Sequence, residues 1–196
     1  MVKIAFFQES HDKICVLYLA RFFRGQTMSI KRRFDAEKAI EVLLYIAKRV
    51  PDVYNALKVL YFADREHLAK YGRLICSDSY VAMRHGPVPS GVYDLVKYAR
   101  GDGSCLIDLP LNEAFTVQGH DIVVRREPNL DLLSESDLEC LDAAVQRYGH
   151  LSFSRLKKLS HDAAFTSADQ NDFIPLEAIV KSLPDSDLLL DYIRNG

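Results

Sequence analysis

The sequence contains no tryptophan, and its four cysteines lie far apart, at Cys15, Cys76, Cys105 and Cys140. Because no pair has CxxC spacing, we do not expect a zinc ribbon, a dithiol redox motif or a disulfide framework. Scattered thiols are typical of proteins in a reducing compartment, so we expect a cytoplasmic protein. No apolar run reaches the ~18 residues that a transmembrane helix needs, and the sequence therefore predicts no membrane segment.

Phosphate-binding loops are also missing, since neither GxxxxGK[ST] nor GxGxxG occurs. The glycine-containing run at 86–91 has two prolines, which lack the N–H groups that would hold a phosphate. The net charge of −2 does not favour nucleic acid as the partner of the whole chain. Because no motif names a reaction, we expect neither an enzyme nor a cofactor.

The 196 residues are 48% hydrophobic and 27% charged, which is typical of a soluble globular domain. Residues 1–33 differ, because seven lysines and arginines there face only Glu9 and Asp12. This segment could bind an acidic partner or a membrane surface, pack on the domain as an extra helix, or precede a true start at Met28. We predict a basic N-terminal extension over 1–33 and a single domain over 34–196.

Two helices are predicted at the start of the domain, from the three-and-four spacing of apolar residues. The first begins after Asp35 and continues to about Val50, where Pro51 ends it. The second begins after Asp52, continues to about Tyr71 and ends at Gly72, a residue that favours a left-handed helix stop.

The rest of the domain alternates short extended segments and helices. Extended structure is predicted at 80–83, at 86–89 and in a hairpin over 113–126 with its turn at 119–120. Helices are predicted from an N-cap at Ser90 to about 100, from a Ser134–Asp137 capping box to 148, at 152–160, after Pro175 and at 187–193. The predicted fold class is mainly α (α+β), a single helical domain with a small β-hairpin or sheet.

The histidines give the strongest argument in the sequence for a metal-dependent enzyme. His161 and Asp162 form one of three His–Asp dipeptides, a pair that ligates the metal of some phosphohydrolases, although either residue could simply cap a helix. His67, Cys76 and His85 follow one another at nine-residue intervals, which match no closed zinc pattern. A metal-dependent hydrolase is therefore kept as an alternative, and no metal site is predicted.

Two polar features lie in apolar surroundings. Asp64 follows an apolar helical segment, and a buried carboxylate must be paired or hydrogen-bonded. The proline-containing turn at 84–90 begins with Arg84 and His85 and is stiff enough to present a binding surface. We expect Asp64 to accept hydrogen bonds from the backbone of this turn or from His85.

These segments resemble the Panacea domain, the SocA-like or GepA-like family. The similar blocks are ALKVLYFAD at 56–64 with His67 and the YGR of 71–73, SDSYVAMRHGPVPS at 77–90, LSESD at 133–137 with LD and YG at 141–142 and 148–149, and SHDAAF at 160–165. The resemblance covers about residues 35–165. Phe165 is a departure, because the family usually has tryptophan at this position, so an indole N–H is lost.

The resemblance implies a bacterial antitoxin, often carried by prophages and mobile elements, whose partner is a cognate protein toxin. At least one member is a proteolytic adaptor that delivers its toxin to the ClpXP protease. A DNA-binding autoregulator of its own operon is the alternative, motivated by the basic residues at 31–33. The candidate residues, expected to hold the domain together more than to contact the toxin, are Tyr61, Asp64, His67, Tyr71, Arg73, Arg84, His85, Gly86, Pro87, Pro89, Ser90, Ser160, His161, Asp162 and Phe165.

Overall fold

Helices α1 (Ala36–Ala47) and α2 (Val53–Tyr71) open the fold in the computed structural model, which describes residues 33–102 and 111–195. Each is capped by an aspartate carboxylate that accepts an N–H three residues on, 3.0 Å from Lys38 to Asp35 and 2.9 Å from Asn55 to Asp52. Gly72 ends α2 in the left-handed conformation. Both predicted helices are confirmed, although α1 ends three residues before Val50.

Helix α2 is the centre of the molecule. Every residue from 56 to 64 is buried, so α2 has no solvent-facing side over these turns. It packs against α5 (Glu135–Tyr148), where the rings of Phe62 and Tyr148 stack with their centroids 4.0 Å apart. Polar residues in the middle of α2 must therefore find their partners within the core.

Two small antiparallel sheets flank the helices. Strand β1 (Tyr80–Met83) pairs with β2 (Gly86–Pro89) on one side and with β5 (Phe173–Ile174) on the other. The second sheet is the predicted hairpin, formed by β3 (Phe115–Gln118) and β4 (Asp121–Val124) after the short helix α4 (Leu111–Ala114). Strand β5 was not predicted, because two residues are too few to show a period-two pattern.

Helix α3 (Ser90–Arg100) follows β2 directly, and its capping differs from the prediction. Ser90 is not the N-cap but the first helical residue; Pro89 holds the cap position without a side-chain hydrogen bond. The Asp78 carboxylate accepts the N–H groups of Gly91 and Val92 instead, each at 2.9 Å. A residue twelve positions before Ser90 thus satisfies the helix terminus.

The C-terminal part is helical, with a 3-10 turn at Leu130–Leu132, α6 (Phe153–Ser160), α7 (Ala163–Thr166), α8 (Leu176–Lys181) and α9 (Ser186–Asn195). The Ser134–Asp137 capping box of α5 is confirmed in both directions. The mainly helical class with small antiparallel sheets is also confirmed. The basic extension lies outside the described residues except for Arg33. No helix in the described ranges is long and apolar enough to cross a membrane.

Candidate functional site

Asp64 connects α2 to β1 and to the segment between them. Its side chain is 1% exposed and accepts the Tyr80 hydroxyl at 2.6 Å and the Ile75 N–H at 2.7 Å. Burial raises the pKa of Asp64 to about 6, although these two hydrogen bonds oppose the rise. The expectation that Asp64 is buried and partnered is confirmed, whereas the predicted partners, the 84–90 turn and His85, are wrong.

Tyr61, one turn before Asp64 on α2, reaches a different segment. Its hydroxyl donates to Asp162 Oδ2 at 2.8 Å, and Arg65 Nη1 lies 2.6 Å from the same oxygen. The other oxygen of Asp162 accepts the Phe165 N–H at 3.0 Å and so caps α7. Asp162 therefore fixes α7 to α2 and has the capping role that the sequence offered as the alternative to metal binding.

His67 and Arg73 meet α5 in a buried ionic cluster. The fully buried ring of His67 donates from Nδ1 to the Arg73 carbonyl at 2.9 Å, and its Nε2 lies 3.1 Å from Asp137 Oδ1. Arg73 Nη2 is 3.0 Å and Lys38 Nζ 2.5 Å from the same carboxylate. Burial alone would raise the pKa of Asp137, but hydrogen bonds from His67, Lys38 and Ser134 hold it well below its usual range.

Tyr71 covers this cluster from the end of α2. Its ring centroid lies 4.8 Å from that of His67, and its hydroxyl donates to Glu139 at 2.6 Å. The side chain is 41% exposed, so it forms the outer edge of the cluster. The motif block at 56–73 is thus joined to α5 through its contacts with the motif block at 133–137.

Gly86 belongs to the motif block at 77–90 and lies against the motif block at 160–165. Its φ of +106° disfavours other residues, and a Cβ there would lie 2.6 Å from Ser160 Oγ and 3.2 Å from Lys58 Nζ. The fully buried Lys58 amine donates to the Pro87 carbonyl. Burial lowers the pKa of Lys58 to about 7. The β1–β2 turn is therefore seated directly on α2 and on the end of α6.

His161 is held by stacking. Its ring lies 4.1 Å from that of Phe165 in a stacked arrangement. Its Nε2 is buried without a hydrogen-bond partner among the described residues, and burial followed by the charges of Lys157 and Lys58 lowers its pKa. Phe165 thus supplies the aromatic ring that packs on His161.

Arg84 and His85 are exposed at the tip of the β1–β2 turn, unlike most other motif residues. The His85 carbonyl accepts the Tyr54 hydroxyl at 3.1 Å, and its ring meets Phe153 edge-on with the centroids 5.3 Å apart. Partial desolvation, followed by the charges of Lys157 and Arg84, lowers the pKa of His85.

The three residues weighed as metal ligands in the sequence do not converge. His67 lies in the Asp137 cluster, Cys76 is buried in the core with a pKa raised by burial, and His85 lies on the exposed turn. No group of three or more histidine, cysteine or acidic side chains within 33–102 and 111–195 is arranged to hold a metal ion.

Sequence reasoning missed several residues on which the site depends. Lys58 and Asp78 both lie inside the quoted motif blocks, and Arg65 lies beside the first of them. A lysine between apolar residues in the middle of a helix signals a buried cation, in the way that Asp64 signals a buried anion. Asp78 gives no such local signal, because its partners are the backbone N–H groups of Gly91 and Val92.

One of the comparisons with known proteins gives a match. The family model described as "Antitoxin SocA-like, Panacea domain" matches residues 57–165, from the first turns of α2 to the end of the SHDAAF block. Neither the curated proteins nor the solved structures give a match. The match covers more than half of the chain, and the chain therefore belongs to the SocA-like antitoxin family with a Panacea domain.

Proposed function

We propose that this protein is a cytoplasmic antitoxin that binds a cognate protein toxin and neutralises it, without catalysing a reaction. Family membership is the observation that carries the proposal. The candidate residues support a binding role, because Asp64, His67 and Asp162 are engaged by neighbouring groups of the same chain. These contacts join separate segments of the chain, as residues that shape a binding surface would.

The internal network makes the surface rigid. Asp64 and Asp162 fix β1 and α7 to the central helix, and Asp78 fixes the start of α3. Because rigid surfaces lose little conformational entropy on binding, such a scaffold suits tight recognition of a folded partner. A standard interface of ~1,600 Å² in total is within reach of a domain of this size.

Co-expression with the product of the neighbouring gene tests the proposal. We expect that product to stop growth when induced alone, and growth to resume when this chain is induced with it. The purified proteins should form a complex of fixed stoichiometry in size-exclusion chromatography. A neighbouring product that is harmless alone, or that stays toxic beside this chain without forming a complex, would contradict the antitoxin role.

Two mechanisms of neutralisation are separable in the same assay. We propose delivery to the ClpXP protease as an alternative to occlusion of the toxin's functional surface. In a host that lacks ClpP, an adaptor loses its protective effect and the toxin accumulates. An occluding antitoxin protects equally well in both hosts, with unchanged toxin levels on an immunoblot.

A further inference from the structure

An exposed aromatic cluster joins the β1–β2 turn, α2 and α6. Phe153, the first residue of α6, is 45% exposed. Its ring centroid lies 4.5 Å from that of Tyr54 and 5.3 Å from that of His85. The Tyr54 hydroxyl also donates to the His85 carbonyl, so three segments hold the cluster in one arrangement. An exposed ring fixed in this way presents apolar area at little further entropic cost.

Two cations flank this cluster. Arg84 precedes His85 at the tip of the turn, and Lys157 follows Phe153 by one helical turn on the same face of α6. The pKa of the His85 ring is lowered by desolvation and then by these two charges. We name Arg84, His85, Phe153 and Lys157 the cationic face.

The cations of this face have no carboxylate partner in the described part of the chain. Several other lysines and arginines there do form ion pairs, among them Lys38, Lys48, Arg49, Arg65, Lys70, Lys97 and Arg126, whereas Arg125, Arg147, Arg155, Lys158 and Lys181 have none with another described residue. Asp52 lies at the edge of the cluster, beside Tyr54, and is engaged in capping α2. The face therefore has an excess of positive charge.

We propose that the cationic face is the docking surface for an acidic segment of the protein partner. Carboxylates of that segment pair with Arg84 and Lys157, and an apolar side chain between them packs on Phe153. The inference rests on the proposed antitoxin function and names the chemistry by which the toxin is recognised. Charge complementarity of this kind provides specificity and accelerates association.

The charges favour an acidic protein over a nucleic acid. A duplex-binding protein commonly neutralises about 6–10 phosphates, whereas this face offers one exposed and one half-buried cation beside one aromatic ring. A short acidic segment needs only a few charges and benefits from the ring.

The test measures binding of the purified neighbouring-gene product to the full chain by calorimetry at two salt concentrations. The variant combines Arg84→Glu with Lys157→Glu, and the control combines Arg155→Glu with Lys158→Glu. Both pairs change the net charge equally, but Arg155 and Lys158 face away from Phe153 on the same helix. We expect the variant to bind about 100-fold more weakly with a smaller salt dependence, and the control to remain within about threefold of the parent chain.

A second variant, Phe153→Ala, is expected to weaken binding about tenfold with the salt dependence unchanged. Circular dichroism melting curves verify that all variants fold. Parent-like affinity of the Arg84→Glu/Lys157→Glu variant would overturn the docking surface while leaving the antitoxin function intact. A parent chain that neither binds nor neutralises the neighbouring product overturns the function and this inference with it. If the parent chain binds labelled operator DNA and the Arg84→Glu/Lys157→Glu variant does not, the assignment of an acidic protein as the partner is overturned.

Discussion

The Tyr80 hydroxyl donates a 2.6 Å hydrogen bond to Asp64, and this contact fixes strand β1 to the central helix. Both side chains are 1% exposed, so water does not compete for either group. The second carboxylate oxygen accepts the Ile75 N–H, which orders the segment that leads into β1. One carboxylate thus positions the sheet whose turn bears Arg84 and His85.

Replacement of Asp64 by alanine tests this relationship. We expect Asp64→Ala to lower the free energy of unfolding by about 2–4 kcal/mol, because a buried hydroxyl and a buried N–H lose their acceptor. Urea denaturation at pH 7 measures the change. An unchanged unfolding midpoint would contradict the structural role of Asp64.

The matched control is Tyr80→Phe, which removes only the hydroxyl. It should cost about 1–2 kcal/mol, and the double variant should cost less than the sum of the two single changes, since they share one contact. Strict additivity would show that the hydrogen bond does not couple the two residues.

Asp137 leads to a prediction about stability at low pH. Asp137→Asn should cost about 3 kcal/mol at pH 7, because a fully buried carboxylate that faces His67, Arg73 and Lys38 loses its charge. The pKa of Asp137 is lowered in the folded state, so the folded protein binds this proton less tightly than the unfolded chain. The extra free energy of unfolding of the parent over Asp137→Asn is therefore present above about pH 4 and declines as the pH falls below it.

The same substitution at Asp142 is the control, on the same helix. That carboxylate is 52% exposed and pairs with Arg49, so Asp142→Asn should cost less than about 1 kcal/mol. Equal losses at the two positions, or a loss at Asp137 that does not change between pH 7 and pH 3, would contradict the buried cluster.

Local interactions explain which features could be predicted from the sequence. Asp35 and Asp52 each accept an N–H three residues ahead, so the sequence beside the helix is sufficient to identify the cap. The Ser134–Asp137 box is local in the same way. Periodicity located the helices because each buries apolar side chains, and Gly72 and Gly101 ended two of them.

The partners of the site residues are not local, which is why they could not be predicted. Asp78 caps α3 from outside the helix. Ser90 was expected to be the cap because of its place in the sequence, but it is the first residue of the helix. Asp64 was recognised as buried, yet nothing in the sequence ranks Tyr80 above His85 as its partner. The contact between Gly86 and Ser160 joins residues 74 positions apart and emerges only from packing of the turn on α6.

Lys58 predicts an unusual stability profile at high pH. Its pKa of about 7 in the folded protein is below the value near 10.4 of an unfolded chain, so above pH 7 the unfolded state binds more protons. Stability attributable to this group therefore rises between about pH 7 and pH 10, by about 1.4 kcal/mol for each pKa unit of difference. Lys58→Met, which fills the space without a titrating group, should remove the rise.

The measurement is chemical denaturation of the parent and of Lys58→Met at pH 7, 8.5 and 10. Because tyrosines also titrate near pH 10, the difference between the two proteins is compared rather than either profile alone. Lys48→Met, at a position 43% exposed, is the control and should leave the profile parallel to that of the parent. A constant difference between parent and Lys58→Met across this range would contradict the burial of the amine.

Gly86 is predicted to be intolerant of any side chain, for two separable reasons. Its φ is +106°, and a Cβ would lie 2.6 Å from Ser160 Oγ. Gly101→Ala is the matched control, since Gly101 has a φ of +87° and nothing within 4 Å of a Cβ. We expect Gly101→Ala to cost about 1 kcal/mol, from backbone strain alone, and Gly86→Ala to cost about 2–3 kcal/mol in urea denaturation. Equal losses would show that the turn does not rest on Ser160, whereas partial recovery in Gly86→Ala/Ser160→Gly would locate the clash at that hydroxyl.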